Sequence, residues 1–292
     1  MRTAESGDDA AAVWDIATPP WPARLQGVGM AGFRARTTDP VDLGVVPYPA
    51  VTVAVDLSGG LLAVGDTSGR QCNGSVVVGL EPTGVRGRGR DIECLQVRLS
   101  PVVAHAVLGA CSELDGTVVP LDDLWGRDAA RFQERLRAAE SWDERFAIAE
   151  AALARRQEAG RAVDPEVAFV WEHMVTNLGG VRVERLAAEV GWSRKRLWSR
   201  FRSQIGLNPK RAAQLVRFDQ AVHRLAAGHS AARVAAEIGY VDQSHLHRDV
   251  RAFAGVTPKA VSRAPWLAVD DVAWAAPAYL SGPCAQDAGR SR

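Results

Sequence analysis

The chain has 292 residues, 47% of them hydrophobic, and its 35 basic residues nearly balance its 34 acidic ones. That length suits two domains better than one. No run approaches the roughly 18 or more uninterrupted apolar residues of a membrane span. The first residues, with Glu5, Asp8 and Asp9 and no apolar stretch, do not read as a secretory leader, so a soluble, cytoplasmic protein without a membrane partner is expected.

In chain order, residues 13–40 are rich in Pro and Gly around Trp14, Trp21 and Phe33 and read as loops and short edge strands. Residues 45–99 read as β structure. Val51, Val53, Val55 and Leu57 alternate with Thr52, Ala54 and Asp56, the period of a half-buried strand. Ser58-Gly59-Gly60 reads as a turn. Leu61–Val64, Val76–Leu80 and Ile92–Leu99 supply further strands, the last with Leu95, Val97 and Leu99 on one face.

Ser100-Pro101 predicts a helix start, with Ser as cap and Pro in the first turn. Helices are expected over about 122–139 and 142–160, the second opened by a capping box at Ser141-Trp142-Asp143-Glu144 and ended by Gly160. After a linker near 160–164, Asp164-Pro165 opens an all-helical region. Beyond Arg263 the chain is Ala/Pro/Gly-rich. The expected organisation is therefore α+β. Residues 1–160 form a sensor or dimerisation domain, with a β-rich core at about 13–99 and helices at about 101–160. Residues 163–264 form a helical domain, and 265–292 a loosely ordered tail in which Trp266 and Trp274 could dock.

The balanced net charge hides an asymmetry. Residues 1–162 carry 17 basic against 22 acidic side chains, whereas 163–264 carry 16 against 9. A basic domain beside an acidic one points to a polyanion partner for the basic part alone.

The basic part repeats itself. Leu186-Ala187-Ala188-Glu189-Val190-Gly191-Trp192 pairs with Val234-Ala235-Ala236-Glu237-Ile238-Gly239-Tyr240; then Leu197, Phe201, Gly206, Pro209 and Lys210 pair with Leu246, Val250, Gly255, Pro258 and Lys259. Each copy reads as a short helix, a corner glycine (Gly191, Gly239), a capping residue (Ser193, Asp242) and a second helix with an apolar i,i+4 pair facing inward. That is a helix-turn-helix written twice, at about 183–204 and 231–253. Between the copies, Asn208-Pro209 opens a helix that Gly228 ends. Its length of about 27 Å suits a spacer between two helices reading successive major grooves, which lie roughly 34 Å apart.

From Ser193 to Phe218 there is no acidic residue, and Arg194, Lys195, Arg196, Arg200, Arg202, Lys210, Arg211 and Arg217 crowd the stretch. On a second helix of a helix-turn-helix, such charge favours the phosphates of double-stranded DNA over a merely solvated face. Arg194, Arg196, Arg200, Arg202, Lys210, Arg211 and Lys259 are the candidate phosphate contacts. In the second copy Gln243 suits adenine and Arg248 guanine or phosphate. Asp242 and Asp249 make that helix the less basic of the two. Trp198 is equally consistent with a base contact and with the core.

These residues carry a family resemblance. Leu186-Ala187, Gly191-Trp192-Ser193, Phe201, Gly206-x-x-Pro209, Gly239-Tyr240, Asp242-Gln243-Ser244-His245-Leu246 and Gly255-x-Thr257-Pro258 together resemble the AraC/XylS-type DNA-binding domain over residues 163–264. Val250 stands where the family commonly has an aromatic residue, and Ala260-Val261 replaces the aromatic that usually follows Thr-Pro. The resemblance implies a sequence-specific transcription regulator with Lys195, Trp198 and Ser199, and Gln243, Ser244, His247 and Arg248, facing bases. It implies RNA polymerase, a second copy of the chain and a small-molecule effector as candidate partners. Residues 1–160 are only loosely similar to the family's sensor domains, many of which are cupin-like β-barrels or sandwiches followed by helices.

Other signals are weaker. Gly27-Val28-Gly29-Met30-Ala31-Gly32 matches G-x-G-x-x-G but follows a loop and precedes no helix, so a dinucleotide site is not expected. Gly87-Arg88-Gly89-Arg90 reads as a hairpin tip. Cys72, Cys94, Cys111 and Cys284 form no C-x-x-C pair and are expected as reduced thiols. His245 and His247 point to different sides of a helix, and His105 is the lone histidine of residues 1–162, so neither a metal nor another cofactor is expected. Pro283-Cys284-Ala285-Gln286 lacks the His and Arg that would follow the cysteine of a DNA-repair alkyltransferase. The chain is not expected to be an enzyme; the alternative is a DNA-targeted modification protein, which would need a polar catalytic cluster in the first domain. An apolar cavity lined by Trp or Phe there would favour a sensor over a pure oligomerisation module.

Overall fold

A computed structural model describes residues 14–274 except 22–23, 38, 60–61, 66–68, 82–83, 110–113, 115, 262–263, 265–268 and 271. Gly60, Leu61, Cys111, Cys284 and Trp266 lie outside the described residues.

Two antiparallel sheets face each other. The larger has the order β1 (Trp14–Ala17), β2 (Val28–Ala35), β9 (Glu93–Leu99), β4 (Val51–Asp56), β7 (Val76–Val78) and β10 (Val118–Pro120). The smaller has the order β3 (Val41–Gly44), β8 (Arg86–Gly89), β5 (Ala63–Gly65) and β6 (Gln71–Asn73). The strand period of two then sorts side chains between two cores. Val51, Val53, Val55, Leu95, Val97 and Leu99 face a layer of helices. Ala54 and Cys94 face the second sheet together with Trp14, Phe33, Val76 and Val78.

Four helices follow β9, with β10 between the first two: α1 (Pro101–Leu108), α2 (Leu121–Trp125), α3 (Arg127–Ala138) and α4 (Trp142–Ala159). Ser100 caps α1, its hydroxyl accepting from the Val103 amide. Ser141 caps α4 in the same way, accepting from Glu144 N–H at 3.2 Å, while the Glu144 carboxylate accepts from the Glu140 amide. The helix expected over 122–139 is broken at Gly126, which has a φ of 55°.

The β region departs from expectation at three places. Residues 13–40 contain β2, an interior strand of eight residues flanked by β1 and β9. The strand at 51–56 is buried on both faces rather than one, because helices cover one side of its sheet and the second sheet covers the other. Arg86–Gly89 is a strand paired on both sides, with β3 and with β5, and not a hairpin tip. The G-x-G-x-x-G run is explained by packing. A Cβ on Gly32 would come within 2.3 Å of the Trp142 ring, so only glycine lets α4 lie this close to the sheet.

The remaining helices are α5 (Pro165–Thr176), α6 (Val183–Glu189), α7 (Arg194–Ile205), α8 (Pro209–Ala226), α9 (Ala231–Ile238), α10 (Gln243–Ala254) and α11 (Pro258–Val261). The two repeat copies have equivalent cores: Leu197 and Phe201 match Leu246 and Val250, all fully buried. Each contributes roughly 1.5–3 kcal/mol by leaving water. The corner glycines Gly191 and Gly239 have φ of 67° and 77°, a conformation most side chains disfavour. Beyond the helical region, Ala273 and Trp274 are buried in the core between the two sheets, with Val269 packed against it, so this part of the tail is docked rather than loose.

Candidate DNA-reading surface and a cavity between the sheets

The helix-turn-helix copies present two second helices, α7 and α10, joined through α8. Three caps set their starts. Ser193 accepts from Arg196 N–H, Asn208 from Arg211 N–H and Asp242 from His245 N–H. With the apolar positions of each helix turned inward, the polar positions remain outside.

On α7, Arg194, Lys195, Arg196, Ser199 and Arg202 are exposed, whereas Trp198 is half-buried and packed against the core. Arg194 lies 3.5 Å from Glu184, and Arg196 stacks over the Trp192 ring at 4.5 Å. On α10, Gln243, Ser244, His247 and Arg248 are exposed, and Arg248 Nε donates back to the Ser244 carbonyl at 3.4 Å. Arg251, absent from the sequence-based set, is exposed one turn further along; its spacing of four from His247 is the signal that could have found it. Lys210 and Lys259 are exposed as well.

The two acidic residues of the second copy do not spoil this surface. Asp242 is consumed as the cap of α10. Asp249 is buried beside Tyr240, whose hydroxyl is held well above its ordinary titration range by burial and by the Asp249 charge. The Arg217 guanidinium lies over the same Tyr240 ring at 5.3 Å. Two basic side chains, Arg200 of α7 and Arg211 of α8, are also engaged in ion pairs within the protein. Arg200 grips Asp164 with two hydrogen bonds of 2.7 and 2.8 Å, and that grip holds the Asp164 carboxyl at about 2. Arg211 binds Glu81, in the segment after β7, and stacks over Phe253 at 3.8 Å.

A second feature sits between the two sheets: a cavity of about 160 Å³. Trp14, Phe33, Leu62 and Val78 form much of its wall, with Gln96 and Arg98 projecting from β9 and Trp274 entering from the C-terminal segment. The sequence left this cavity unseen, although an arginine between Val97 and Leu99 in a strand was a signal. Cys72 is half-buried, its thiol donating to the Val118 carbonyl at 3.9 Å, and Cys94 is buried, which pushes its thiol up to about 12. No helix among the described residues is long and apolar enough to cross a membrane.

Residues 186–264 match a protein family described as a helix-turn-helix domain. No curated protein matches the chain. Among solved structures the chain is similar to ToxT from Vibrio cholerae O395, at 10% identity over 81% of this chain and 97% of that one, with a TM-score of 0.45. It is similar to the C-terminal domain of AraT, a response regulator from Geobacillus stearothermophilus, at 17% identity over 35% of this chain and 86% of that one, with a TM-score of 0.33. It is also similar to the AraC-like transcriptional activator CuxR, at 16% identity over 68% of this chain and 83% of that one, with a TM-score of 0.28.

Proposed function

We propose that this chain, whose residues 186–264 form an AraC-type helix-turn-helix domain, is a transcription regulator that reads DNA with α7 and α10 together. The observation that carries the reading is the sorting of side chains on these helices. Apolar faces and acidic residues turn inward or into caps, and a basic, hydrogen-bonding face is left outside on both.

In this reading Lys195 and Ser199 on α7, and Gln243, Ser244, His247 and Arg248 on α10, meet base edges. Trp198 supports the helix from behind and lends an edge to the same surface. Arg194, Arg196, Arg202, Lys210 and Lys259 meet phosphates, and Arg251 joins them. Arg200 and Arg211 reach phosphate only on leaving Asp164 and Glu81. Both reading helices belong to one chain, so a single copy spans a site of about two helical turns.

The cavity between the sheets supports a small-molecule effector for the β-rich part. Its aromatic wall and few polar groups have the make-up of a ligand site, which an oligomerisation module has no need of.

The test is binding of the full chain to fragmented genomic DNA from its source at several salt concentrations. A few enriched sites of about two helical turns, with affinity falling steeply as salt rises, are expected. Weak binding spread evenly over all fragments would overturn sequence-specific reading.

A further inference from the structure

The charged side chains lining the cavity, among the described residues, are Arg98 and Asp270, and they are 172 residues apart in the chain. Arg98 sits at an inward position of β9. Its Nη2 donates to Asp270 Oδ1 at 2.7 Å, and the two side chains are only 4% and 3% exposed. The guanidinium is stacked between the Tyr48 ring at 3.7 Å and the Trp274 ring at 4.2 Å. Asp270 also approaches His223 of α8, Oδ2 to Nε2, at 3.9 Å. A short segment that follows the DNA-reading region therefore walls one side of the cavity and touches the helix between the two reading heads.

A buried guanidinium holds its place only beside an anion, because an unpaired buried charge is strongly unfavourable. The planar fork of arginine accepts any carboxylate, preferably through both oxygens. Asp270 gives Arg98 Nη2 one oxygen, and burial pushes its carboxyl upward against the pull of Arg98 and Tyr48. Behind this pair lies a void of about 160 Å³ walled by Trp14, Phe33, Leu62 and Val78, close to the volume of cavity known to take up benzene. A molecule with an aromatic ring and one carboxylate satisfies both halves of this site, but only when Asp270 has left.

We propose that Val269, Asp270 and Trp274 form an internal stopper in which Asp270 stands in for the carboxylate of a small aromatic acid, and that such an acid binds at Arg98 by expelling the stopper. Expulsion also removes Asp270 from His223 and so breaks one of the contacts that hold α8 to the β-rich part, the Glu81–Arg211 pair being another. The link from acid to DNA rests on the regulator reading above; the binding of the acid does not.

The experiment titrates the full chain with benzoate and with its neutral analogue benzamide, by calorimetry and by hydrogen exchange. Wild type, Asp270→Asn and Arg98→Gln are compared, and DNA binding is measured on the same samples. Wild type is expected to bind benzoate in preference to benzamide, with faster exchange in 269–274 on binding. Removing the internal competitor in Asp270→Asn is expected to tighten benzoate by about ten-fold or more, as the binding-competent fraction rises; Arg98→Gln is expected to lose it. Equal affinity for the two compounds, weaker benzoate binding by Asp270→Asn, or no binding by any form overturns the stopper. If Asp270→Asn fails to fold, the wild-type exchange decides, and slower exchange in 269–274 with benzoate overturns the proposal. Benzoate binding without any site-specific DNA binding would sink the regulator reading and leave the stopper standing.

Discussion

Glu81, in the segment after β7, holds Arg211 of α8 across 130 residues of sequence, with Arg211 Nε 2.7 and 2.8 Å from its two carboxylate oxygens. The pair ties the β-rich region to the spacer between the reading helices and occupies a basic side chain otherwise placed to meet phosphate. Glu81→Gln is expected to release Arg211 and raise DNA affinity. If Arg211 then takes one phosphate, the slope of log affinity against log salt steepens by about 0.9. Fluorescence anisotropy over a salt series measures both, and an unchanged slope would show that Arg211 stays off the DNA.

Arg248 projects from the exposed face of α10, its Nε donating to the Ser244 carbonyl one turn back. Arg248→Ala is expected to weaken binding to the selected site by about 1–3 kcal/mol, the cost of losing a good base contact, and to change binding to random DNA far less. Competition gel shifts with both DNAs are the check. Equal losses on the two would reduce Arg248 to a phosphate contact.

Asp164 and Arg200 set an acid limit on the docking of α5 against α7. The Asp164 carboxyl is held at about 2, first by the hydrogen bonds from Arg200, against an ordinary value near 3.9 in an unfolded chain. A depressed carboxylate contributes stability that is present above its unfolded value and is lost as pH falls through its folded value. Wild type is therefore expected to melt above Asp164→Asn at neutral pH, with the gap closing between about pH 4 and pH 2. Melting followed by circular dichroism across that window tests it; a constant gap would mean that the aspartate acts through something other than its charge.

Gly32 is expected to tolerate no side chain, since an added Cβ would meet the Trp142 ring at 2.3 Å. Gly32→Ala is expected to cost about 1–3 kcal/mol, the usual range for overpacking a core. Urea unfolding read by tryptophan fluorescence would register it. An unchanged midpoint would mean that Trp142 shifts freely and that the glycine is not what lets α4 approach the sheet.

The helix-turn-helix region was legible because its determinants are local. A cap is a side chain and an amide three residues apart, as at Ser193 and Asp242. A buried helix face is an i,i+4 spacing, as at Leu197 and Phe201, and the repeat displays each rule twice. The β region was less legible. The strand β2 was hidden because its glycines resemble a loop until Trp142 is seen resting on Gly32. The strand β8, Arg86–Gly89, was hidden because nothing in four alternating Arg and Gly residues announces the partners on either side of it.

The sequence by itself determined the two reading helices, their caps and their inward faces, since each depends on contacts within a few residues. It also determined the excess of positive charge over residues 163–264, which is a matter of composition. Only the tertiary structure decided which of those charges remain outside. Arg200 and Arg211 are engaged by Asp164 and Glu81, and Asp249 is hidden. It alone placed Asp270 against Arg98, a pairing between residues 172 positions apart. Partners at that separation are chosen by how sheets and helices pack, and the strength of an ion pair depends on its burial, which no local spacing encodes.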